Sequence, residues 1–488
     1  MDEQFSKRKI VILDGTRSCD KHLDPILALL TDVVHKYHSD RTQIFKLQDI
    51  KLNPCIGCFN CWVSTPGKCI HGDAGPDILQ AIVNSNTVIF FTPVVFGGYS
   101  SELKKIVDRF LPTVLPFFEE LHGETNHRAR YLSSPRFIGV GVQSHPQKRE
   151  AKCFKMLVGR NAINCNVSKY AAEVVASTDS PETLYSQFQA LLSRSDRLPW
   201  RSEASSLLKE KNFLPKSSTG KHRALLIVGS QKIKHPSTSS FLGEYLLKRL
   251  KKHDWKTESL TLGRDLLDER GQDNLCSSVD EADTILLFFP LYVDTLPFLV
   301  TKALEVMALR RNTADVVRPK RLFALINSGF PEPYQSAVAL AVCRNFALEC
   351  DMIWAGGLVM GCGEGLLSGQ SAAGFKGLRG LKRPPLYYIN RALKLSADAL
   401  AEGHPVPEKA KRLIAKKPIP LITFSLWRQI FIKLGKSIWV KEATLNGVTK
   451  EKLFDRPYAT ETTSSLSEKK SGAVSTDSYG NSEEKEDD

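Results

Sequence analysis

The chain runs through one order of segments twice, and that repetition limits its fold more than any other feature. The first half opens on KIVILDG (9–15), an apolar run ending in glycine. DPILALLTDVVHKYH (24–38) follows with apolar residues at helical spacing, then TQIFKLQDI (42–50) as a strand and DILQAIVNSN (77–86) as a helix. TVIFFTPVVFGG (87–98) is a strand entering a Pro/Gly loop, SSELKKIVDRFL (100–111) a helix, and RFIGVGVQS (136–144) a fourth strand. The second half repeats the order with RALLIVGS (223–230), STSSFLGEYLLKRLKKH (237–253), ADTILLFFPLYVDTLP (282–297) and RLFALINSG (321–329). Short strands that are apolar on both faces, alternating with amphipathic helices, specify parallel sheets covered on both sides. The expectation is an α/β chain of two doubly wound parallel-sheet domains in tandem, 8–197 and 221–405, joined by a linker over 198–220.

Gly15 pairs with Gly229 and Pro93 with Pro290. The first interval is the longer, by about the length of Cys55–Cys69. The cysteine segment therefore reads as an insertion on a shared scaffold, and an added loop more often carries function than a core element does.

Past residue 405 the pattern changes. Residues 406–458 hold 12 Lys/Arg against 4 Asp/Glu and form a basic amphipathic extension. Its segment 418–439 can lie on a membrane surface as a peripheral contact, or pack back onto the second domain with its basic face to water. Residues 459–488 are rich in Ser, Thr, Glu and Asp and read as a disordered tail. The whole chain carries +14 at pH 7, which favours anionic ligands without choosing among them. No zinc-finger spacing or stacking platform points to specific nucleic-acid binding. No apolar run reaches the roughly 20 residues a bilayer requires. The N-terminus lacks a signal-peptide core, and the 11 cysteines read as thiols or metal ligands, so a cytoplasmic location is expected.

In an open parallel sheet, ligands sit beyond the carboxyl ends of the strands. The loop GSQKIKHPSTSS (229–240) brings Ser230, Ser237, Thr238 and Ser239 to the start of a helix, with Lys232 and Lys234 beside them. A helix N-terminus with free N–H groups is a ready anion site, and phosphate is its natural guest; the plainer reading is a helix cap. The matching loop DGTRSCDKHLDP (14–25) offers Thr16, Arg17 and Ser18, but Asp20 and Asp24 would repel an anion. Around Pro93, Val94 and Phe96, and around Pro290, Leu291 and Tyr292, irregular backbone and flat apolar groups suit an aromatic ring with edge acceptors. Ser328 and Gly329 form a third adjacent loop. Cys55, Cys58, Cys61 and Cys69 lie in PCIGCFNCWVSTPGKC. Four thiolates suit an iron–sulfur cluster or zinc; packed thiols without metal are the third reading.

These segments resemble a known family. GSQKIKHPSTSSFL and the strand–Pro–Tyr loop are similar to those of NADPH-dependent FMN reductases, which have the flavodoxin-like fold. PCIGCFNCWVSTPGKC followed by TVIFFTPVVFGGYSSELKKIVDRF resembles the iron–sulfur flavoproteins. The resemblance implies FMN phosphate on Ser230, Ser237, Thr238 and Ser239. It implies the isoalloxazine ring on Pro290, Leu291 and Tyr292, and on Pro93, Val94 and Phe96. It further implies a [4Fe–4S] cluster on Cys55, Cys58, Cys61 and Cys69. Two departures matter: the first copy lacks the serine-rich phosphate loop, and the second lacks the cysteines. The implied function is an FMN oxidoreductase passing electrons from NAD(P)H to a quinone, a flavin or another small acceptor. The flavin carries the chemistry, and no side chain is assigned as acid or base. The alternative is a non-catalytic electron carrier or binding module with degenerate flavin sites. A homodimer is left open.

Overall fold

The computed structural model describes residues 9–37, 41–207, 222–230, 237–313, 319–363, 385–419 and 421–460. In the first domain β1 (Lys9–Asp14), α1 (Asp24–Tyr37), β2 (Arg41–Lys46), α2 (Asn60–Val63), α3 (Gly75–Val83), β3 (Thr87–Pro93) and α4 (Ser101–Val107) come first. They are followed by β4 (Val114–Leu121), β5 (Glu124–Ala129), β6 (Arg136–Gln143), α5 (Lys148–Asn164), β7 (Tyr170–Ala176) and α6 (Pro181–Ser193). The short helix α7 (Arg201–Ser206) leads toward the second domain. That domain comprises β8 (Arg223–Val228), α8 (Thr238–Leu250), β9 (Lys256–Thr261), α9 (Glu269–Glu281), β10 (Thr284–Pro290), α10 (Phe298–Asn312), β11 (Arg321–Asn327), α11 (Ala337–Glu349) and β12 (Ile353–Met360).

The sheet orders are β2-β1-β3-β6-β7 and β9-β8-β10-β11-β12. Every pairing within them is parallel. Each domain is therefore doubly wound with strand order 2-1-3-4-5, the flavodoxin-like arrangement. The central strands β1, β3, β8 and β10 are buried nearly throughout, as their unbroken apolar runs require. Gly15 sits so close to Leu103 that a Cβ would lie 2.6 Å away, and a Cβ on Gly229 would lie 2.2 Å from Val300. These paired positions need glycine because the helix after the third strand crosses there.

The two domains meet through reciprocal contacts. Ser101 N on α4 donates to Glu305 Oε1 at 2.9 Å, and Phe298 N on α10 donates to Asp108 Oδ2 at 2.7 Å. Asn161 on α5 donates to Val293 O at 3.0 Å, and Asn345 on α11 donates to Phe96 O at 2.9 Å. Each helix start thus receives a carboxylate from the other domain, which satisfies a free N–H and complements the helix dipole. One apolar core runs through both domains.

Some elements differ from expectation. The second strand stops at Lys46, and Leu47–Asp49 forms a 3-10 turn. An antiparallel hairpin, β4–β5, stands where no element was expected. The expected linker packs on the domains over its described residues 198–207: Ala204 and Leu207 are buried, and Leu207 O accepts from Arg344.

The basic extension divides. Helix Glu408–Ile414 packs on the second domain beside helix Pro385–Ala401 of that domain. The C-terminal helix, Phe424–Leu445, instead crosses to the first domain and covers the cysteine helix and the hairpin. The expected packing of this segment on the second domain is corrected, for a physical reason. The two insertions expose Phe59, Trp62, Val114, Leu115 and Phe117, and the C-terminal segment buries that surface. Lys232, Lys234 and the tail from residue 461 lie outside the described residues. No helix among the described residues is long and apolar enough to cross a membrane.

Candidate functional site

At the carboxyl edge of the second sheet four segments converge. Ser230 is buried just after β8. Ser237 caps α8, its hydroxyl accepting from Ser240 N at 3.1 Å. Thr238 Oγ1 donates to Gly363 O at 3.4 Å, and Ser239 Oγ donates to Asn327 Oδ1 at 2.8 Å. Ser328 N donates to Met360 O at 2.9 Å, while beside Gly329 lies open space. Asn327 was not among the expected site residues, although it ends the strand directly before Ser328. Residues 229–230 and 237–240 carry no acidic side chain, and a 13-residue helix begins among their hydroxyls. This arrangement fits a phosphate.

The equivalent edge of the first sheet does not. Thr16 Oγ1 is committed to Asp14 Oδ1 at 2.7 Å. Asp20 holds Arg17 through two nitrogens, at 2.7 and 3.0 Å, and Glu305 draws on the same guanidinium at 3.4 Å. Asp14 Oδ2 is buried without a hydrogen-bond partner, and burial pushes this carboxyl up. Ser18 is exposed. Nearby, burial and then the charge of Glu349 raise Glu150 to about 7. An incoming phosphate would meet carboxylates and find the hydroxyl of Thr16 and the guanidinium of Arg17 already engaged.

The ring loops also differ between copies. Positive φ falls at Phe96 and Gly97 in one loop and at Val293 and Asp294 in the other. Matching bridges join Val95 to Gly98 and Tyr292 to Thr295. The counterpart of Tyr292 is Val95, in register with the pairing of Pro93 and Pro290. Phe96 is 4% exposed and packs edge-on against Phe346 of α11 at 5.1 Å. Pro93 is buried and Val94 half-buried. Pro290, Leu291 and Tyr292 all remain half-exposed.

The half-exposed loop of the second domain meets the cysteine segment of the first. Gly57 has φ +64, and a Cβ there would collide with the Tyr292 hydroxyl. Buried Lys104 bridges the same place, donating to Tyr292 O at 2.7 Å and pairing with Asp108. Sequence reasoning missed Lys104, Asp108 and Gly57, because their partners lie in the other copy of the repeat.

The cysteine segment is tied at its base. Asp73 accepts from Asn53 N at 2.7 Å, Arg109 Nη1 at 2.7 Å and Gly75 N at 3.0 Å. Burial opposes its charge, but these donors outweigh burial and hold the carboxyl at about 2. Cys61 is buried, Cys58 exposed, and Cys55 and Cys69 are intermediate. Burial pushes Cys55 up to about 12 and Cys61 well above the usual thiol range. After burial, the Cys55, Cys69 and Cys58 thiols add to the rise of Cys61. Among the described residues no group of three or more His, Cys, Asp or Glu side chains is drawn together closely enough to hold a metal ion. Aromatic rings link this segment to the carboxyl edge of the second sheet: Phe330, after Gly329, lies 5.1 Å from His127, which lies 4.6 Å from Trp62. Burial lowers His127 to about 3, so that ring is neutral, and its Nδ1 bonds Leu115 O at 2.9 Å.

Among the comparisons with known proteins, the family profile falls on the first domain. Residues 8–143 match the family profile described as NADPH-dependent FMN reductase. A stretch of 76 residues is 40% identical to an iron–sulfur flavoprotein of Methanocaldococcus jannaschii, covering 16% of this chain and 38% of that protein. A stretch of 62 residues is 31% identical to an iron–sulfur flavoprotein of Archaeoglobus fulgidus, covering 13% of this chain and 27% of that protein. The chain thus spans well under half the length of these relatives. An azoreductase from Bacillus anthracis aligns with a TM-score of 0.26 at 15% identity, over 37% of this chain and 99% of that chain. Residues 8–143 are thus similar to the NADPH-dependent FMN reductase family.

Proposed function

We propose that the chain is an FMN-dependent oxidoreductase that takes electrons from NAD(P)H and delivers them to a quinone, a flavin or another small acceptor. A single FMN is assigned to the second domain. The observation that carries this reading is the asymmetry of the two anion loops: hydroxyls and a helix N-terminus in one, engaged carboxylates in the other. Ser230, Ser237, Thr238 and Ser239 would bind the phosphate, and Pro290, Leu291 and Tyr292 would flank the ring, with Ser328 and Gly329 at its edge. Bound flavin supplies the hydride chemistry; the protein binds it, orients it and limits water. Tyr292 and Lys104 would orient the ring loop against the first domain. Cys55, Cys58, Cys61 and Cys69 are the residues that would hold an iron–sulfur cluster. Support for this comes from the donor chemistry and from the names of the archaeal relatives.

Steady-state oxidation of NADPH and NADH by the FMN-reconstituted full chain, with and without a quinone, tests the reading. Quinone-dependent turnover is the expected result. Flavin bound without turnover would instead make the chain a carrier or binding module, the reading that the engaged first loop favours for the first domain alone.

A further inference from the structure

The C-terminal helix has two apolar faces, and only one of them is used. Its inner face is fixed to the protein. Phe431 stacks on Phe118 at 5.1 Å, Trp439 meets Trp62 at 5.0 Å, and buried Arg428 donates to Glu332 at 2.8 Å. On the outer side Leu426, Ile430, Leu434 and Ile438 recur every fourth residue, and Leu445 continues the stripe. Four of these stand open to solvent: Leu426 at 50%, Leu434 at 36%, Ile438 at 42% and Leu445 at 71% exposure. Residues at four-residue spacing share one side of a helix, so the stripe is about 28 Å long.

The charge beside the stripe is mostly basic, although exposed Glu442 lies one four-residue step beyond Ile438. Lys433, Lys436 and Lys441 are exposed, and Glu442 is the one acidic residue of the helix. The surrounding segment 406–458, with 12 basic against 4 acidic residues, carries more than half of the chain's net charge of +14.

We propose that this outer face docks the protein on an anionic lipid surface. The aliphatic stripe enters the headgroup boundary, and the lysines engage acidic headgroups. The shape favours lipid over a folded partner: a single straight helix side lined with Leu and Ile and bordered by Lys suits a plane. The inner anchoring holds the stripe outward before any surface is met, so docking needs no rearrangement of the chain. The inference is independent of the flavin assignment.

Flotation of the full-length protein with phosphatidylcholine vesicles, with and without phosphatidylserine, tests it. Binding is expected to be at least roughly tenfold stronger on the anionic vesicles and to weaken as salt rises. The double variant Leu434→Asp/Ile438→Asp should lose that binding by roughly tenfold or more. Both positions are exposed, so its circular dichroism and FMN content should match the parent. Equal binding to both vesicle types, no binding to either, or undiminished binding by the variant overturns the proposal. A dimer in solution that the variant splits would also overturn it, because the face would then belong to a second copy of the chain.

Discussion

Ser237→Asp is expected to abolish tight FMN binding while leaving the fold intact. Ser237 caps α8, and aspartate caps a helix as well as serine does, so stability should change by less than about 1 kcal/mol. The new carboxylate, however, would stand where the phosphate is expected. Two unit charges about 4 Å apart repel by about 4 kcal/mol at the effective dielectric of a protein surface, roughly a thousandfold in affinity. Ser237→Asn, a neutral cap, should stay within roughly tenfold of the parent. Fluorescence titration with FMN and a thermal melt, run on all three proteins, separate the charge effect from any structural one. Equal affinity in the parent and the aspartate variant would remove the phosphate from this loop.

Arg160→Met should cost about 3–5 kcal/mol of stability, because it leaves buried carboxylates without their cation. Arg160 Nη1 holds Glu124 at 2.7 and 2.8 Å, and its Nη2 faces Asp294 at 3.5 Å. All three side chains are almost wholly buried. Tyr334 adds a bond to Glu124 at 2.7 Å, and Asn161 and Asn164 each reach Asp294 at 3.1 Å. The group therefore joins α5 and the hairpin of the first domain to the second domain. Burial already raises the Asp294 carboxyl, with Arg160 opposing the rise. Removing Arg160 lets it rise further, so the folded variant would take up a proton that the unfolded chain releases. Stability is then regained below the raised value and lost as pH climbs through it. The urea midpoint of the variant should fall further at pH 8 than at pH 5. A loss under about 1 kcal/mol at both would mean that the two domains do not close on each other in solution.

The parts legible in the sequence were those fixed by local pattern. Strands buried on both faces announce themselves as apolar runs, and the pairings Gly15 with Gly229 and Pro93 with Pro290 hold in the two superposable sheet orders. The fifth strands were not read, and Tyr170–Ala176 and Ile353–Met360 show why: alanine, glycine and a mid-strand glutamate dilute the apolar signal. The hairpin was hidden for a different reason. Glu124, Thr125, Asn126 and His127 are buried polar residues, and the partners of Glu124 and Thr125, namely Arg160, Glu332 and Tyr334, come from distant segments. Pairing Pro93 with Pro290 sets Val95 against Tyr292, and the left-handed φ positions of the two loops keep the same register. At the candidate site the hydroxyl cluster could be read directly, since helix capping is local. Contacts such as Tyr292 against Gly57 could not, because each half of the repeat supplies only one partner.

The number of flavins bound per chain tests the central claim most directly. Equilibrium titration of the full-length protein with FMN should reach saturation at one equivalent, held by the second domain. Saturation at two equivalents, no binding at all, or one equivalent that persists in Ser237→Asp would contradict the assignment of the flavin to the serine-lined loop.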